Sequence, residues 1–278
     1  MKHYIYCLAL ILLPAAVFAM VNPQLNQPVP GGVAVIALPY HGDGLPKSYF
    51  QQRRTLVYRD QQQHWFAVVG LPLSIKTGKH VLIYQADHQQ QKHYFSVHQA
   101  HYPTQYLTIK NRRKVDPHPA DLKRIQRESA HIKRILSGWT ATQTVPLQLR
   151  LPLHGPESSA FGLRRFYNKK PRSPHSGLDI AAPTGTKVTA PAAGKVAATG
   201  HFFFLGNAIF IDHGMGLFTV YAHLSAIKVK PDQTVKAGQL IGLVGATGRV
   251  TGPHLHWGVV LNGVFVNPKL FIAEAATQ

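Results

Sequence analysis

The chain has 278 residues, a length that suits one large or two ordinary domains, and 30 Lys and Arg against 11 Asp and Glu give it a formal net charge of +19. With 45% hydrophobic and 15% charged residues it can fill real cores, which excludes an intrinsically disordered protein. The single cysteine excludes a disulfide scaffold or a cysteine-rich zinc finger, and leaves the 17 histidines as the expected metal ligands or acid–base groups.

Residues 1–19 have the pattern of a secretory signal peptide. Lys2 precedes an apolar stretch at 4–13, and a small-residue site ends at Ala19, where we predict cleavage. A membrane anchor is the alternative interpretation, but Pro14 interrupts the stretch short of the roughly 20 apolar residues of a spanning helix. No later stretch approaches that length, so we expect no stable membrane insertion after cleavage.

Cleavage would remove Cys7, so the mature chain at 20–278 would contain no cysteine and could not be a cysteine hydrolase or a thiol redox enzyme. Cys7 also lies too early in the apolar run for a lipoprotein cleavage site. Removal of Lys2 leaves a net charge of +18, which should draw an exported protein to anionic polymers. Cell-wall glycopeptide, lipid headgroups and lipopolysaccharide are better candidates than nucleic acid for a periplasmic or secreted protein. The charge could also serve solubility alone.

Residues 20–115 are predicted to form an N-terminal β domain. Short hydrophobic runs recur at roughly ten-residue spacing, which is typical of a small β sandwich or barrel. The predicted strands are 33–38, 55–58, 64–69, 81–84, 93–97 and 106–109.

Residues 116–147 are predicted to form a helical linker. Apolar or small residues recur at three- and four-residue spacing, which predicts one helix of about five turns. These residues are Leu122, Ile125, Ser129, Ile132 and Leu136. Asp121 near the start and Gly138 after the end fit helix termini. The basic residues on its other faces could bind an anionic polymer, but we favour a solvated face on a helix packed between two domains.

Residues 148–278 are predicted to form a second all-β domain, because short β-branched runs alternate with glycines throughout. His175 and Asp179 in this domain are suitable Zn²⁺ ligands four residues apart. On a straight strand they would lie about 13 Å apart, so one ion could join them only if the chain bends, which Gly177 permits. A surface His and Asp without a metal would explain the pair equally well.

Further histidines lie in strand-like runs of the same domain. His254 and His256 alternate on a predicted strand, so both side chains point to one side about 7 Å apart, and one could bind a metal while the other faces the adjacent space. His223 lies in another such run, at 221–224. His213 precedes turn glycines and is expected to support the backbone. Each histidine alone is more simply an ordinary strand residue, but together, in a domain without cysteine, they favour a metal site.

Residues 148–271 resemble peptidase family M23, the zinc metallopeptidases of the lysostaphin/LytM type. The matching segments include His-Ser-Gly-Leu-Asp-Ile at 175–180, Tyr-Ala-His-Leu at 221–224 and Gly-Pro-His-Leu-His at 252–256, in the order and spacing of the family. Further matching segments lie at 159–164, 191–196, 206–207, 212–217 and 245–249. Residues 33–110 resemble, less closely, the β-rich regulatory domain that precedes some Gram-negative members. The implied fold class is all-β: a small N-terminal sandwich or barrel, a linker helix and a C-terminal antiparallel β domain of the LytM type.

The resemblance implies a role for each motif residue. His175, Asp179 and His256 would be the ligands of one Zn²⁺, with water or substrate completing a tetrahedral site. His223 and His254 would be the catalytic histidines without a metal bond. No His-Glu-x-x-His motif marks a glutamate base. We therefore expect His254 to activate water and His223 to stabilise the oxyanion, or the reverse.

The resemblance also implies peptidoglycan as the substrate, cleaved at peptide bonds of the stem or cross-link. Arg164 and Arg165 are expected to contact substrate carboxylates, although an ordinary exposed basic loop would explain them equally well. Asn207 is a further candidate substrate-binding residue. The Phe run at 202–205 and the loop at 167–171 depart from the family pattern, and the Phe run is expected to be core rather than a contact surface.

The sequence therefore predicts an exported zinc metallo-endopeptidase for wall growth and remodelling. The alternative is a catalytically inactive LytM-type activator of a wall amidase, but such proteins usually lose ligands that are present here. A purely cationic wall-binding module is a third hypothesis. The β domain ahead of a complete site also suggests that the N-terminal region covers the groove and inhibits the enzyme.

Overall fold

The computed structural model describes residues 23–86, 89–142 and 144–272, so the predicted signal peptide and Cys7 lie outside the described residues. The described part of the chain is mostly β-structure, with one α-helix and three short 3₁₀-helices. No helix in these ranges combines the length and hydrophobicity that spanning a membrane requires. The predicted all-β class is confirmed.

The strands before the helix follow a 3₁₀-helix at Pro23–Leu25, and all but the last of them form two antiparallel sheets. They are β1 (Val33–Leu38), β2 (Lys47–Phe50), β3 (Arg53–Arg54), β4 (Leu56–Arg59), β5 (Trp65–Gly70), β6 (Gly78–Ala86), β7 (Gln89–Val97) and β8 (Thr104–Leu107). The first sheet has the order β1-β5-β4 and the second β3-β2-β6-β7. Hydrophobic β1 and β5 are buried at most positions, whereas β7 is a largely exposed edge strand.

The α-helix α1, Pro119–Leu136, follows a 3₁₀-helix at Arg112–Lys114 and confirms the predicted linker helix. Its inward face differs from the prediction, because Leu122 is 46% exposed whereas Asp121 is buried. Two hydrogen bonds of 2.6 and 2.7 Å join the Arg113 guanidinium to Asp121, and Glu128 Oε2 accepts one of 2.7 Å from the Phe203 N–H. The Arg113–Asp121 ion pair and the Glu128 contact therefore determine which face of the helix points inward. The apolar spacing alone did not predict this face.

The strands after the helix form the larger β region. They are β9 (Glu157–Ser159), β10 (Arg164–Tyr167), β11 (Lys170–Pro171), β12 (Leu178–Ala181), β13 (Lys187–Thr189), β14 (Gly194–Phe202), β15 (Gly206–Gly214), β16 (Leu217–Leu224), β17 (Ala226–Ile227), β18 (Thr234–Val235), β19 (Leu240–Leu243), β20 (His254–Leu261) and β21 (Val264–Val266), with a 3₁₀-helix at Pro268–Phe271. The main sheet has the order β18-β14-β15-β16-β20-β12-β9, and β21 pairs with β20. A smaller sheet has the order β13-β19-β17.

The centre of the main sheet positions the candidate histidines. Every residue of β16 is buried, and Tyr221 and Trp257 are fully enclosed on β16 and β20. Large apolar side chains contribute roughly 1.5–3 kcal/mol each when buried in this way. Because β16 and β20 are antiparallel, the end of β16 that carries His223 lies beside the start of β20, which carries His254 and His256.

Strand β8 lies in a different sheet from the one predicted. The sequence groups residues 106–109 with the N-terminal strands, but β8 pairs in parallel with β10, in the order β11-β10-β8. The prediction was wrong because a hydrophobic run shows that a strand forms, but not which sheet edge it joins. A strand that precedes the helix in the chain therefore completes a sheet of the C-terminal region.

The two β regions also make direct contacts. The Gly70 N–H donates to Asn262 Oδ1 at 2.6 Å, and Asn262 Nδ2 donates back to the Gly70 carbonyl at 3.1 Å. In addition, the Arg54 guanidinium lies 3.4 Å from the centre of the Trp139 ring, which belongs to the linker after α1. One cluster of buried hydrophobic residues continues from β1 and β5 into β16 and β20.

Candidate metal centre

His175 and Asp179 meet because the chain bends between them. His175 precedes β12, and Asp179 is the second residue of that strand. His175 Nε2 lies 2.9 Å from Asp179 Oδ1. Gly177 is required at the bend for space, because a Cβ there would lie 2.6 Å from both His256 Cε1 and the Trp257 carbonyl oxygen. The bend that the sequence required is therefore present.

Strand pairing brings His256 to the same point. Asp179 stands opposite His256 in the antiparallel pair of β12 and β20. His256 Nδ1 lies 2.8 Å from Asp179 Oδ1 and 3.0 Å from His175 Nε2. One potential ligand atom from each of the three residues converges here, and none of the residues is more than 7% exposed.

The chemistry of this cluster fits a bound cation. The Nδ1–H of His175 donates to the Ala160 carbonyl at 2.6 Å, so a neutral ring presents a lone pair at Nε2. That lone pair faces a carboxylate oxygen and a second imidazole nitrogen. Buried acceptors this close repel each other unless a proton or a metal ion lies between them. A metal such as zinc binds these atoms at about 2.0–2.2 Å, so the ligand atoms of one ion lie within about 4 Å of each other. The three residues therefore form a site that can hold a metal ion.

Burial and neighbouring charges shift the pKa values of the cluster residues. Burial alone would raise the pKa of the Asp179 carboxyl. Hydrogen bonds from His175 and His256, when these rings carry a proton on the nitrogen that faces Asp179, hold that pKa far below its usual range. Burial lowers the pKa of His256, although Asp179 opposes this effect. An ionised carboxylate and a neutral imidazole are the forms that bind a metal.

Arg165 fixes the second oxygen of Asp179. Its Nη2 donates to Asp179 Oδ2 at 2.8 Å and to Ser159 Oγ at 2.7 Å, and its side chain is 12% exposed. The sequence predicted a contact between Arg165 and substrate carboxylates, but the guanidinium binds a carboxylate of the chain itself. Arg164, the preceding residue of β10, is exposed.

Asn207 lies at the start of β15, with its side chain paired inside the protein. Its Nδ2 donates to the Leu224 carbonyl at 3.0 Å, and its Oδ1 lies 2.9 Å from His201 Nδ1. In the pairing of β15 with β16, Asn207 stands opposite Leu224, the residue after His223. Asn207 therefore lies beside the strand end that carries a predicted catalytic histidine.

His223 and His254 stand beside the metal-site cluster. Their ring centroids are 4.9 Å apart, and the His223 ring lies 5.9 Å from the His256 ring. His254 Nε2 lies 3.9 Å from Asp179 Oδ1. Both rings donate Nδ1–H to backbone carbonyls of the 247–252 loop, at 2.8 and 2.9 Å. In the neutral state each ring therefore presents Nε2 as its lone-pair nitrogen.

The backbone at His223 adopts a conformation that few residues other than glycine favour. Its φ is +66°, in the left-handed region, and strain of this kind often accompanies functional sites. The His223 N–H donates to the Leu205 carbonyl at 2.8 Å, where the register of β15 with β16 is irregular. Burial, together with the neighbouring His256 and His254, lowers the pKa of His223 to about 3. The His223 ring is thus neutral near pH 7, and the fixed backbone conformation limits where the ring can lie.

His213 occupies a separate buried position. Its Nδ1–H donates to the Ala193 carbonyl at 2.7 Å, and its Nε2 accepts from the Thr219 hydroxyl at 2.8 Å, which in turn accepts from Tyr221 at 2.8 Å. Burial lowers the pKa of His213. These contacts match the structural role predicted for it.

The Phe run has two different environments. Phe202 and Phe203 are 6% and 3% exposed and belong to the interior, as expected. Phe204 is half-buried, and the Arg249 guanidinium lies 4.3 Å from its ring centre and 4.8 Å from that of Tyr167. No carboxylate in the described part of the chain pairs with Arg249. Sequence reasoning did not single out this cation, although it lies just before the Gly-Pro-His-Leu-His segment.

Gln105 on β8 is a second residue that sequence reasoning missed. Its Oε1 accepts hydrogen bonds from Arg165 Nε at 3.2 Å and from Ser159 Oγ at 3.1 Å. Nothing in the local sequence indicated this contact, because it depends on the unpredicted pairing of β8 with β10.

Two family models match the chain. Residues 173–268 match the model described as Peptidase family M23, and residues 26–100 match Peptidase family M23 N-terminal domain. The first range contains all three residues of the metal-site cluster together with His223 and His254, and the second contains β1 to β7.

Curated relatives and a solved structure are similar to different extents of the chain. Over 111 residues, 40% of the chain, it is 46% identical to the DD-carboxypeptidase/endopeptidase Mpg of Neisseria meningitidis and 47% identical to the Peptidoglycan DD-endopeptidase ShyA of Vibrio cholerae. Each match covers 26% of the relative, so the chain spans about a quarter of the length of these proteins. A crystal structure from Pseudomonas aeruginosa, described as peptidase M23, is 41% identical with a TM-score of 0.78, and the match covers 90% of this chain and 97% of that one.

Proposed function

The chain belongs to peptidase family M23, and from this premise we propose that it is a zinc metallo-endopeptidase that hydrolyses peptide bonds in peptidoglycan stems or cross-links. The observation that carries the proposal is the convergence of one ligand atom each from His175, Asp179 and His256, with His223 and His254 beside them. A protein that only activated an amidase would not need this set of side chains intact.

His175, Asp179 and His256 would hold one zinc ion per chain, because two imidazole nitrogens and a carboxylate are typical zinc ligands. A bound zinc ion supplies Lewis acidity, which polarises a peptide carbonyl and makes water more acidic. Arg165 keeps Asp179 Oδ2 occupied, so that Oδ1 faces the two histidines. The chain thus presents a fixed set of ligands rather than three independent side chains.

We assign the activation of water to His254. Its side chain is 14% exposed, against 9% for His256, and its Nδ1–H is fixed on the Gly252 carbonyl. Its Nε2 can therefore accept a proton from water and later donate it to the leaving amine. His223 is assigned to the oxyanion: its neutral ring carries its proton on Nδ1, so donation from Nε2 requires the ring to take up a second proton, which the negative charge developing on the oxyanion would favour.

The proposed substrate is peptidoglycan, and the proposed site of action is the periplasm or the cell exterior. The Vibrio cholerae relative is named as a peptidoglycan endopeptidase, and the predicted signal peptide provides a route of export. Exposed Arg164 and Arg249, which pairs with no carboxylate in the described ranges, give this part of the chain positive charge, which suits stem peptides with free carboxylates. Nucleic acid is not an expected partner.

A second proposal is that the N-terminal region restrains the enzyme. His175, Asp179, His223 and His256 are each at most 7% exposed, and the His254 side chain, at 14%, is the more accessible one of the site. Lys114 Nζ donates to the Phe203 carbonyl at 2.6 Å and lies 3.7 Å from the centre of its ring. This contact ties the segment before α1 to the loop whose Leu205 carbonyl accepts from His223.

Incubation of the pure protein with purified sacculi tests the proposed activity. We expect soluble wall fragments to be released, which are analysed as muropeptides after muramidase digestion. Release should stop when zinc is removed by a chelator and return when zinc is restored. His256→Ala should not release them under any of these conditions, whereas His131→Ala, which changes an exposed histidine on α1, should behave as the wild type. Release that is indifferent to the chelator would contradict the zinc mechanism.

A further inference from the structure

Strand β8 belongs to the chain before α1, yet its Gln105 contacts Arg165 and Ser159, which stand next to the metal-site cluster. It pairs in parallel with β10, and its register places Gln105 opposite Arg165. Beyond Arg165, the strands β9, β12 and β20 place Ser159 opposite Asp179 and Asp179 opposite His256. Two sets of paired residues, one from β8 and β10 and one from β9, β12 and β20, therefore lie side by side in two sheets, and the second set ends at the cluster.

The side chains of these two sets are joined by hydrogen bonds. Gln105 Oε1 accepts from Arg165 Nε at 3.2 Å and from Ser159 Oγ at 3.1 Å. Arg165 Nη2 then donates to Ser159 Oγ at 2.7 Å and to Asp179 Oδ2 at 2.8 Å. Ser159 accepts from Arg165 and donates to Gln105, which closes a ring of three side chains behind Asp179.

Every side of the Arg165 guanidinium has a partner. Nε is directed at Gln105, Nη1 donates to the Tyr167 hydroxyl at 3.0 Å, and Nη2 is shared between Ser159 and Asp179. The guanidinium is planar and presents its donors in a fixed fork, so the position of one edge determines the position of the other. With the side chain only 12% exposed, loss of the acceptor at Nε would leave a donor with little water to replace it.

The other side chains of β8 do not make this contact. Tyr106 is 71% exposed and stacks on Phe166 with ring centroids 5.0 Å apart. Leu107 packs against the small cluster of Ile109, Val115 and Tyr167. The backbone pairing and these apolar contacts hold β8 in its sheet. The Gln105 side chain is therefore not needed to anchor the strand.

We propose that Gln105 is a positioning residue for the metal site, which fixes Arg165 and Ser159 and through them the orientation of Asp179. This inference rests on the proposed function, since it takes His175, Asp179 and His256 as the ligands. It also assigns part of the N-terminal region a supporting role: the metal site is incomplete without a strand that lies outside residues 148–278.

Metal affinity of the intact protein tests this inference, measured by competition with a chromophoric zinc chelator. Gln105→Met keeps the size of the side chain but removes the acceptor, and we expect it to bind zinc about tenfold more weakly, as is common for the loss of an outer-shell partner. Gln105→Glu restores an acceptor for both donors and should bind zinc nearly as tightly as the wild type. Gln90→Met, which makes the same change on exposed β7, is the matched control.

Thermal unfolding with excess chelator separates this role from a general loss of stability. A purely structural role would lower the unfolding temperature of Gln105→Met without changing its zinc affinity, and that result would overturn the inference. Equal weakening in Gln105→Met and Gln105→Glu would also overturn it. If Gln105→Met does not fold, Gln105→Asn, which withdraws the amide by one methylene, should show the weaker affinity, and unchanged affinity would again overturn the inference.

The outcome for the wild type distinguishes the two proposals. Zinc binding that His256→Ala abolishes but Gln105→Met leaves unchanged would overturn the inference on Gln105 and leave the proposed function in place. A wild-type protein that binds no zinc would overturn both.

Discussion

Asp179 lies directly opposite His256 across the pair of β12 and β20, with 2.8 Å between Asp179 Oδ1 and His256 Nδ1. Strand register fixes this meeting, because a slip of one residue would turn one of the two side chains to the other face of the sheet. His175 joins them only because the chain bends next to Gly177. The candidate metal site thus depends on the pairing of buried strands as much as on the identity of its ligands.

Asp179→Asn should abolish zinc binding while it preserves the shape of the side chain. The amide cannot supply the negative charge that both histidines and Arg165 face, and the Arg165 cation would remain nearly buried without a carboxylate. We expect a loss of zinc affinity larger than the about 10- to 100-fold typical of outer-shell changes. Isothermal titration of the chelator-treated protein measures it; affinity near that of the wild type would show that Asp179 is not a ligand.

His254→Ala and His223→Ala should separate catalysis from metal binding. Neither residue belongs to the converging cluster, so zinc content should stay at one ion per chain, whereas kcat should fall by about 10²- to 10⁴-fold. Zinc analysis and rates of wall-fragment release on the same preparations provide the comparison. A loss of zinc in either variant would make that histidine a ligand instead.

Arg165→Lys should weaken zinc binding, whereas Arg164→Lys should not. A lysine cannot reproduce the fork that contacts Gln105, Ser159 and Asp179 together, and we expect about 10- to 100-fold weaker affinity. Arg164 is the exposed neighbour on the same strand and makes the matched control. Equal affinities in the two variants would remove Arg165 from the support of the metal site.

Lys114→Met should increase activity on sacculi if the N-terminal region restrains the enzyme. The change removes the hydrogen bond to the Phe203 carbonyl, and a charge-assisted bond of this kind could account for up to about tenfold of restraint. Lys110→Met alters a nearby exposed lysine and should leave the rate unchanged. Initial rates of wall-fragment release from sacculi measure this effect. An unchanged rate in Lys114→Met would argue against restraint through the Lys114–Phe203 contact.

The stability of the protein should fall in acid partly through His213. Burial lowers its pKa in the folded state, with Asp212 opposing the effect, while the unfolded residue titrates near 6.5. Above about pH 6.5 the ring is neutral in both states. Below that pH the unfolded state binds a proton that the folded state resists, so the free energy of unfolding falls by up to about 1.4 kcal/mol per pH unit until the folded pKa is reached.

Denaturant unfolding between pH 8 and pH 5 measures this slope. His213→Gln keeps a neutral donor and acceptor but cannot take up the proton, so its stability should depend less on pH than that of the wild type. His131→Gln, on an exposed surface, should retain the slope of the wild type. Parallel curves for the wild type and His213→Gln would show that His213 does not contribute.

The sequence was informative where short motifs combine with simple geometry. The i and i+2 spacing of His254 and His256 placed both on one side of a strand, and Gly177 provided for the bend between His175 and Asp179. Both features are local, so they could be predicted from a few residues. Predictions of catalytic roles for His223 and His254 remain to be tested.

Contacts between distant segments were not predictable. The pairing of β8 with β10 depends on register between strands 60 residues apart, and it determines the environment of Gln105 and of Arg165. Because Arg165 meets Asp179 only in the folded sheet, its spacing from the motif suggested substrate contact instead. The inward face of α1 also differs from the prediction, since the ion pair of Asp121 with Arg113 outweighs the burial of Leu122.

Mass spectrometry of the muropeptides obtained by muramidase digestion of sacculi, after treatment with the zinc-loaded protein, tests the central claim most directly. We expect cross-linked species to decrease in favour of uncross-linked ones, or stem peptides to become shorter, with the sugars still attached, in wild type and not in His256→Ala. Release of free stem peptides from the sugars, cleavage of the glycan strands by the protein itself, or no change with zinc present would contradict it.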